Sequence, residues 1–155
     1  MGVKDRRPLE FGLLNQYKNL FLVDIQENDE NKVTFLLKTG QVSETTEALV
    51  INDVTLNDVR PIIEDNNLSI KVLFPSYVAY NVRNETYTTL NDYDLFEGNI
   101  VREYNRSRYL EYIMADTIAT DNWPGKLRHF GICCGWHVID VISVDEPEVI
   151  LTFSS

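Results

Sequence analysis

Apolar residues first crowd together between Tyr17 and Ile25, through Leu20, Phe21, Leu22, Val23 and Ile25, and this run predicts a strand after a polar lead. Asp, Glu and Asn then interrupt the pattern before Lys32-Val-Thr-Phe-Leu-Leu-Lys38, so the two runs read as a long hairpin. Thr39-Gly40 signals a turn, and Thr45 to Val54 adds a third run with β-branched residues near its centre, which makes the opening a β-meander. Leu56 to Ile63, broken by Pro61, reads as a loop or short helix, and Asp65-Asn66-Asn67 as a turn. Leu68 to Phe74 and, beyond Pro75, Tyr77 to Arg83 read as further strands.

Asn91 to Gly98 is polar and carries chain-breaking residues. The stretch 102–116 is the one with helical spacing, where Tyr109, Leu110, Ile113 and Met114 would form the buried face. Asn122-Trp-Pro-Gly marks a loop, and β-type composition returns in Val138 to Val144 and Val149 to Phe153. Without βαβ alternation or a fixed-period repeat, a Rossmann fold, a parallel barrel or a repeat array is not expected. The expected fold class is α+β: one domain over 1–155, mainly antiparallel sheet, curled or barrel-like, with one principal helix over 102–116.

Composition agrees with a globular chain. With 155 residues, 44% of them hydrophobic and 25% charged, one core can bury enough surface to fold without disulfides or metal. No run reaches the roughly 18 apolar residues of a membrane helix, and Met-Gly-Val-Lys-Asp-Arg-Arg has no apolar signal core, so the expected location is the cytoplasm. Arg6 stands where N-myristoylation at Gly2 would want Ser or Thr. The Asn-x-Ser/Thr matches at Asn67, Asn84 and Asn105 carry meaning only on a secretory route.

The net charge of −10 argues against nucleic acid, whose phosphates are held by clustered Lys and Arg, and makes a basic protein the expected partner. Charge is uneven: residues 24–97 hold fourteen acidic and five basic side chains, whereas 98–128 hold four and five. A solvated surface that keeps the chain soluble is the simplest reading of that excess.

Candidate chemistry concentrates in nine residues, His129-Phe-Gly-Ile-Cys133-Cys134-Gly-Trp-His137, which contain both histidines and both cysteines. As a hairpin with the three-residue loop Cys133-Cys134-Gly135, this segment would pair Ile132 with Trp136, Phe130 with Val138 and Arg128 with Asp140. The other face would set Gly131 opposite His137 and His129 opposite Ile139. The two histidines would then be diagonal neighbours able to share a zinc or iron ion with a third ligand from elsewhere, Asp140 acting as an outer orienter and a cysteine as a further ligand. As one unbroken strand, the same segment would hold the outer pair more than about 13 Å apart and no single metal could join them. Cys133 and Cys134 are expected as free thiols, since adjacent cysteines bond only through a strained peptide. A nucleophilic role would require a histidine base beside one of them.

Seven of the eight tyrosines lie between 77 and 112, interleaved with arginines. Tyr80, Arg83, Tyr87, Tyr104, Arg106 and Arg108 are the candidate partner surface, because both residue types cover apolar area while keeping a polar tip. Asp145-Glu146-Pro147-Glu148 reads as a hairpin turn between two terminal strands. The expectation is therefore a non-enzymatic, acidic protein-interaction module, in its specific form an immunity-type inhibitor of a basic toxin or enzyme, with no cofactor. The alternatives are a small metal protein or enzyme built on His129 and His137, and a small-molecule carrier with a tyrosine-lined cavity.

Overall fold

The computed structural model describes residues 5–42, 47–51, 54–59, 62–89 and 91–154. Among the described residues, twelve strands and one α-helix follow each other as β1 (Asp5–Leu9), β2 (Leu20–Gln26), β3 (Val33–Val42), β4 (Glu47–Ile51), β5 (Val54–Val59), β6 (Ile62–Phe74), β7 (Tyr77–Asn84), β8 (Leu95–Gly98), β9 (Val101–Arg106), α1 (Arg108–Asp116), β10 (Arg128–Cys133), β11 (His137–Ser143) and β12 (Glu148–Phe153). Short 3-10 turns occupy Phe11–Gln16 and Glu85–Tyr87.

The strands form two antiparallel five-stranded sheets, ordered β1-β12-β6-β3-β2 and β7-β11-β10-β9-β8, and a separate β4-β5 hairpin. Alternation explains how the sheets meet. Val33, Phe35 and Leu37 of β3 and Ile70, Val72 and Phe74 of β6 point to one side, where they meet Phe130 and Ile132 of β10 and Ile139 and Val141 of β11. Aromatic contacts cross the gap, with Phe35 edge-on to Tyr80 at 5.6 Å and Phe74 tilted against Phe130 at 5.7 Å. The result is an open two-sheet arrangement with a shared core, and the barrel-like closure expected from the strand-rich pattern does not occur.

Several expectations shift with tertiary pairing. β2 and β3 pair as the hairpin of the sequence reading, but Thr39-Gly40 does not turn the chain; β3 runs through it to Val42 and pairs with β6 instead of leading into β4. Leu56 to Ile63 is divided between β5 and β6, with Pro61 outside the described residues, and the Asp65-Asn66-Asn67 signal becomes a bulge. There Lys38 pairs with Ser69 and Thr39 with Asp65, so the residues between have no partner on β3, while Leu68 still pairs with Phe153 of β12. Residues 145–147 carry the chain from one sheet to the other, because β11 and β12 belong to different sheets.

The helix begins later than its apolar spacing suggests. β9 occupies 101–106 and pairs with β10 through residues 101–104, and Ser107 caps α1 by accepting the Leu110 N–H at 3.0 Å. Ile113 is buried, with Tyr109 and Leu110 packed beside it, while Met114 is half exposed. α1 lies against Ile142, Val78 and Ala79, on the side of the second sheet that faces away from the shared core. Among the described residues, no helix is long and apolar enough to cross a membrane.

Candidate functional site

The β10–β11 hairpin has the register His129↔Ile142, Gly131↔Asp140 and Cys133↔Val138, three residues away from the expected pairing. Cys134 donates to the His137 carbonyl at 2.8 Å, so the loop shrinks to Gly135-Trp136. The left-handed position falls on Trp136, at φ 71°, and not on the glycine. The reason is tertiary: Gly135 lies under the Phe21 ring, where a Cβ would stand 2.6 Å from a ring carbon, and its N–H donates to the Leu20 carbonyl at 2.8 Å. The glycine is used for close approach between the sheets, and the exposed tryptophan takes the unfavourable backbone.

An odd shift of register exchanges the faces. His129, Cys133, Asp140 and Val138 now share the outer face of the second sheet. His137 follows the alternation of Ile139 and Val141 and lies on the opposite face of β11. The two histidines are therefore separated by the sheet itself, which overturns the shared metal site. Among the described residues, no three His, Cys, Asp or Glu side chains come together in a way that could hold a metal ion. His137 keeps its Nδ1 buried without a hydrogen-bond partner. The expected Arg128–Asp140 pair is also replaced: Arg128 grips Glu103 in two hydrogen bonds at 2.7 Å and reaches Glu146 at 3.0 Å.

Around His129 the structure builds a buried polar string. Ser107 Oγ is 2.6 Å from His129 Nδ1, and His129 Nε2 is 2.7 Å from Asp140 Oδ1, with the three residues 0%, 2% and 4% exposed. Ser107 Oγ also accepts from the Leu110 N–H, and both imidazole nitrogens are engaged, Nδ1 with Ser107 and Nε2 with Asp140. The string thus joins the cap of α1 to the middle of β10 and β11. Tyr104 stacks flat on the imidazole at 3.9 Å, and Tyr109 meets it edge-on at 5.5 Å. Gly131 makes that stack possible, since a Cβ there would lie 3.0 Å from the Tyr104 ring.

This arrangement contains Ser, His and Asp but lacks what nucleophilic catalysis needs. A nucleophile must be reachable, and Ser107 is wholly buried at the helix start. The thiols are no better activated. Burial pushes the Cys133 thiol up, and it pushes the Cys134 thiol up to about 12. Both effects oppose the thiolate, and both nitrogens of His129 are already engaged. Cys133 and Cys134 are free thiols that diverge, the first toward the outer face and the second into the shared core.

Beyond the helix the outer face opens into a cavity of about 350 Å³, lined among others by Arg83, Phe96, Arg102, Tyr104, Cys133 and Val138. Arg83 Nη2 is 3.6 Å from Asp140 Oδ2, so the buried string ends at the cavity wall. Burial raises the Tyr104 hydroxyl above its ordinary value, with a hydrogen bond to Arg102 working the other way.

The expected tyrosine and arginine surface is divided among several environments. Tyr80 points into the shared core, Arg83 and Tyr104 line the cavity, and Tyr87 stands 76% exposed. Arg106 lies over the Tyr93 ring at 4.5 Å and donates to the Tyr93 carbonyl, and Arg108 is 5.9 Å from the same ring. The cavity therefore contains one tyrosine, not a tyrosine lining. Sequence reasoning left out Ser107 and Arg102 as site residues. Ser107 carried a readable signal, a serine immediately before an amphipathic run; Arg102 stands in the sequence among the arginines interleaved with the tyrosines, but its place in the cavity depends on β9 pairing.

The fold and site define an open, two-sheet α+β protein with a helix on the outer face of one sheet. Comparison with protein-family models, with curated proteins and with solved structures finds no match to this chain.

Proposed function

We propose that this protein is a non-enzymatic interaction module that presents an acidic surface to a basic protein partner, an inhibitor of a basic toxin or enzyme being its specific form. The observation that carries the reading is the charge of −10, from 24 acidic against 14 basic side chains. Arg7 pairs with Asp5, Arg83 with Asp140, and Arg128 with Glu103 and Glu146. Arg102 and Arg106 donate to backbone carbonyls. The carboxylate excess remains, and such a field accelerates encounter with an oppositely charged partner. Closure of the Ser107–His129–Asp140 string and the raised thiols supply no competing reactive group.

The test is native mass spectrometry of the protein isolated from its own cells at low ionic strength, followed by titration with the partner so identified. A stoichiometric basic protein, bound about tenfold more weakly in high salt, is the expected result. A stoichiometric metal in place of a protein, or a partner whose affinity ignores salt, would refute the proposal.

A further inference from the structure

The outer face of the second sheet is covered over only part of its length. α1 closes the end that carries Ile142 and Val78, while the other end opens into the cavity of about 350 Å³ described above, a size within the small-molecule range. In the order β7-β11-β10-β9, Val138 and Cys133 lie on the two inner strands and form the floor, and Arg83 and Arg102 stand on the strands to either side.

Arg102 is positioned by the protein itself. Its Nε donates to the Asn99 carbonyl at 2.8 Å, and its guanidinium carbon sits 4.0 Å over the Phe96 ring. The Nε bond to Asn99 and a hydrogen bond shared with the Tyr104 hydroxyl fix the guanidinium, and the remaining donors of its five N–H groups are left for a ligand. Arg83 is half exposed, and its 3.6 Å approach to Asp140 is longer than the roughly 2.7–2.9 Å of a charge-assisted hydrogen bond. Asp140 has already committed its other oxygen to His129.

By charge, Glu85 and Asp94 of the cavity wall balance this pair, so an anion is held here by the local reach of the guanidiniums and not by a net positive field. Asp94 is turned into its own loop, accepting from the Arg108 N–H at 3.0 Å and from Asn91 Nδ2 at 3.2 Å. The charges of Glu85 and Asp94 together favour a singly charged ligand over a doubly charged one.

We propose that this cavity binds a small organic oxyanion of the monocarboxylate type. The carboxylate lies between Arg83 and Arg102, and the apolar body rests on Val138, Phe96 and Tyr104. Arginine suits the task because its planar fork matches a carboxylate in two parallel hydrogen bonds. The inference is independent of the protein-partner reading, since it concerns a small anion in a cavity and not a basic protein.

Cys133 gives the test a built-in reporter, because it lines the cavity while Cys134 is in the core. The rate of Cys133 alkylation by iodoacetamide is followed in the intact protein with benzoate, inorganic phosphate or benzylamine at up to about 10 mM, the range of weak affinities. Benzoate should slow the reaction at least about fivefold, phosphate less, and benzylamine not at all. Arg83→Gln and Arg102→Gln, checked for native circular dichroism, should each weaken benzoate protection about tenfold, the loss expected when one charged hydrogen-bonding partner is removed. Stronger protection by phosphate than by benzoate overturns the carboxylate assignment in favour of a phosphate ligand. Protection by benzylamine alone, no protection by either anion in the unaltered protein, or benzoate protection that survives both substitutions overturns the site.

Discussion

At the scale of single residues, Ser107, His129 and Asp140 illustrate how burial changes the meaning of a chemically suggestive set. Each is almost inaccessible, and each hydrogen bond serves another, so the group acts as a tie between α1 and two strands. Ser107→Ala should remove a helix cap worth about 1 kcal/mol and leave His129 Nδ1 buried without its partner, a further cost of about 1–3 kcal/mol. Urea unfolding followed by far-ultraviolet circular dichroism measures the sum, and a change below about 0.5 kcal/mol would contradict the tie. The two thiols should also separate by reactivity: at pH 8 iodoacetamide labels Cys133 slowly and Cys134 only after unfolding, read by peptide mass mapping. His129 and Asp140 were legible as interesting residues by type alone. That they touch each other, and that His137 does not join them, depends on a register no single residue specifies.

At the scale of elements, the β10–β11 hairpin shows a local signal yielding to a tertiary one. Glycine at the end of Cys133-Cys134-Gly135 favours a three-residue loop with the glycine in the left-handed region. Contact with Phe21 claims that glycine for a different purpose and moves the register by three, which exchanges the faces of β11 relative to β10. Gly135→Ala should therefore destabilise the protein by about 1–3 kcal/mol through overlap with the Phe21 ring, measured by thermal or urea unfolding. Gly98→Ala, in the β8–β9 turn at φ 102° and with a Cβ site 2.1 Å from the Val101 carbonyl oxygen, should cost at least as much. Wild-type stability in either variant would show that the close approach is not required. The helix was visible from Tyr109, Leu110 and Ile113, but its start was not, because 102–106 alternates well enough to serve as β9 once β10 is beside it.

For the whole molecule, buried acidic groups with raised values link stability to alkaline pH. Burial holds the Cys134 thiol up to about 12 against an ordinary 9.0, and the Tyr109 hydroxyl up to about 12 against 10.0. A hydrogen bond to Glu27, reinforced by burial, raises Tyr77 to about 12 as well. In the unfolded chain these groups release their protons at the lower values, so between about 9 and 12 the unfolded state binds fewer protons than the folded one. Stability is complete below pH 9 and declines as pH rises through this window. Urea midpoints measured at increasing pH should fall, and Cys134→Ala should flatten the decline; a midpoint independent of pH up to 11 would contradict the assignment.

The sequence by itself determined the class of the fold, antiparallel strands with one helix, because side-chain alternation and helical spacing are local consequences of backbone geometry. It also determined the charge of −10 and the confinement of histidine and cysteine to one segment. Tertiary structure decided the rest. The division of strands into two sheets, the continuation of β3 and β6 through apparent turns, the face on which each histidine lies and the arginine-walled cavity all arise from pairings between residues far apart in sequence. Such pairings are chosen by burial of the whole apolar surface at once, and a local pattern compatible with two registers is settled only when the opposing sheet selects one.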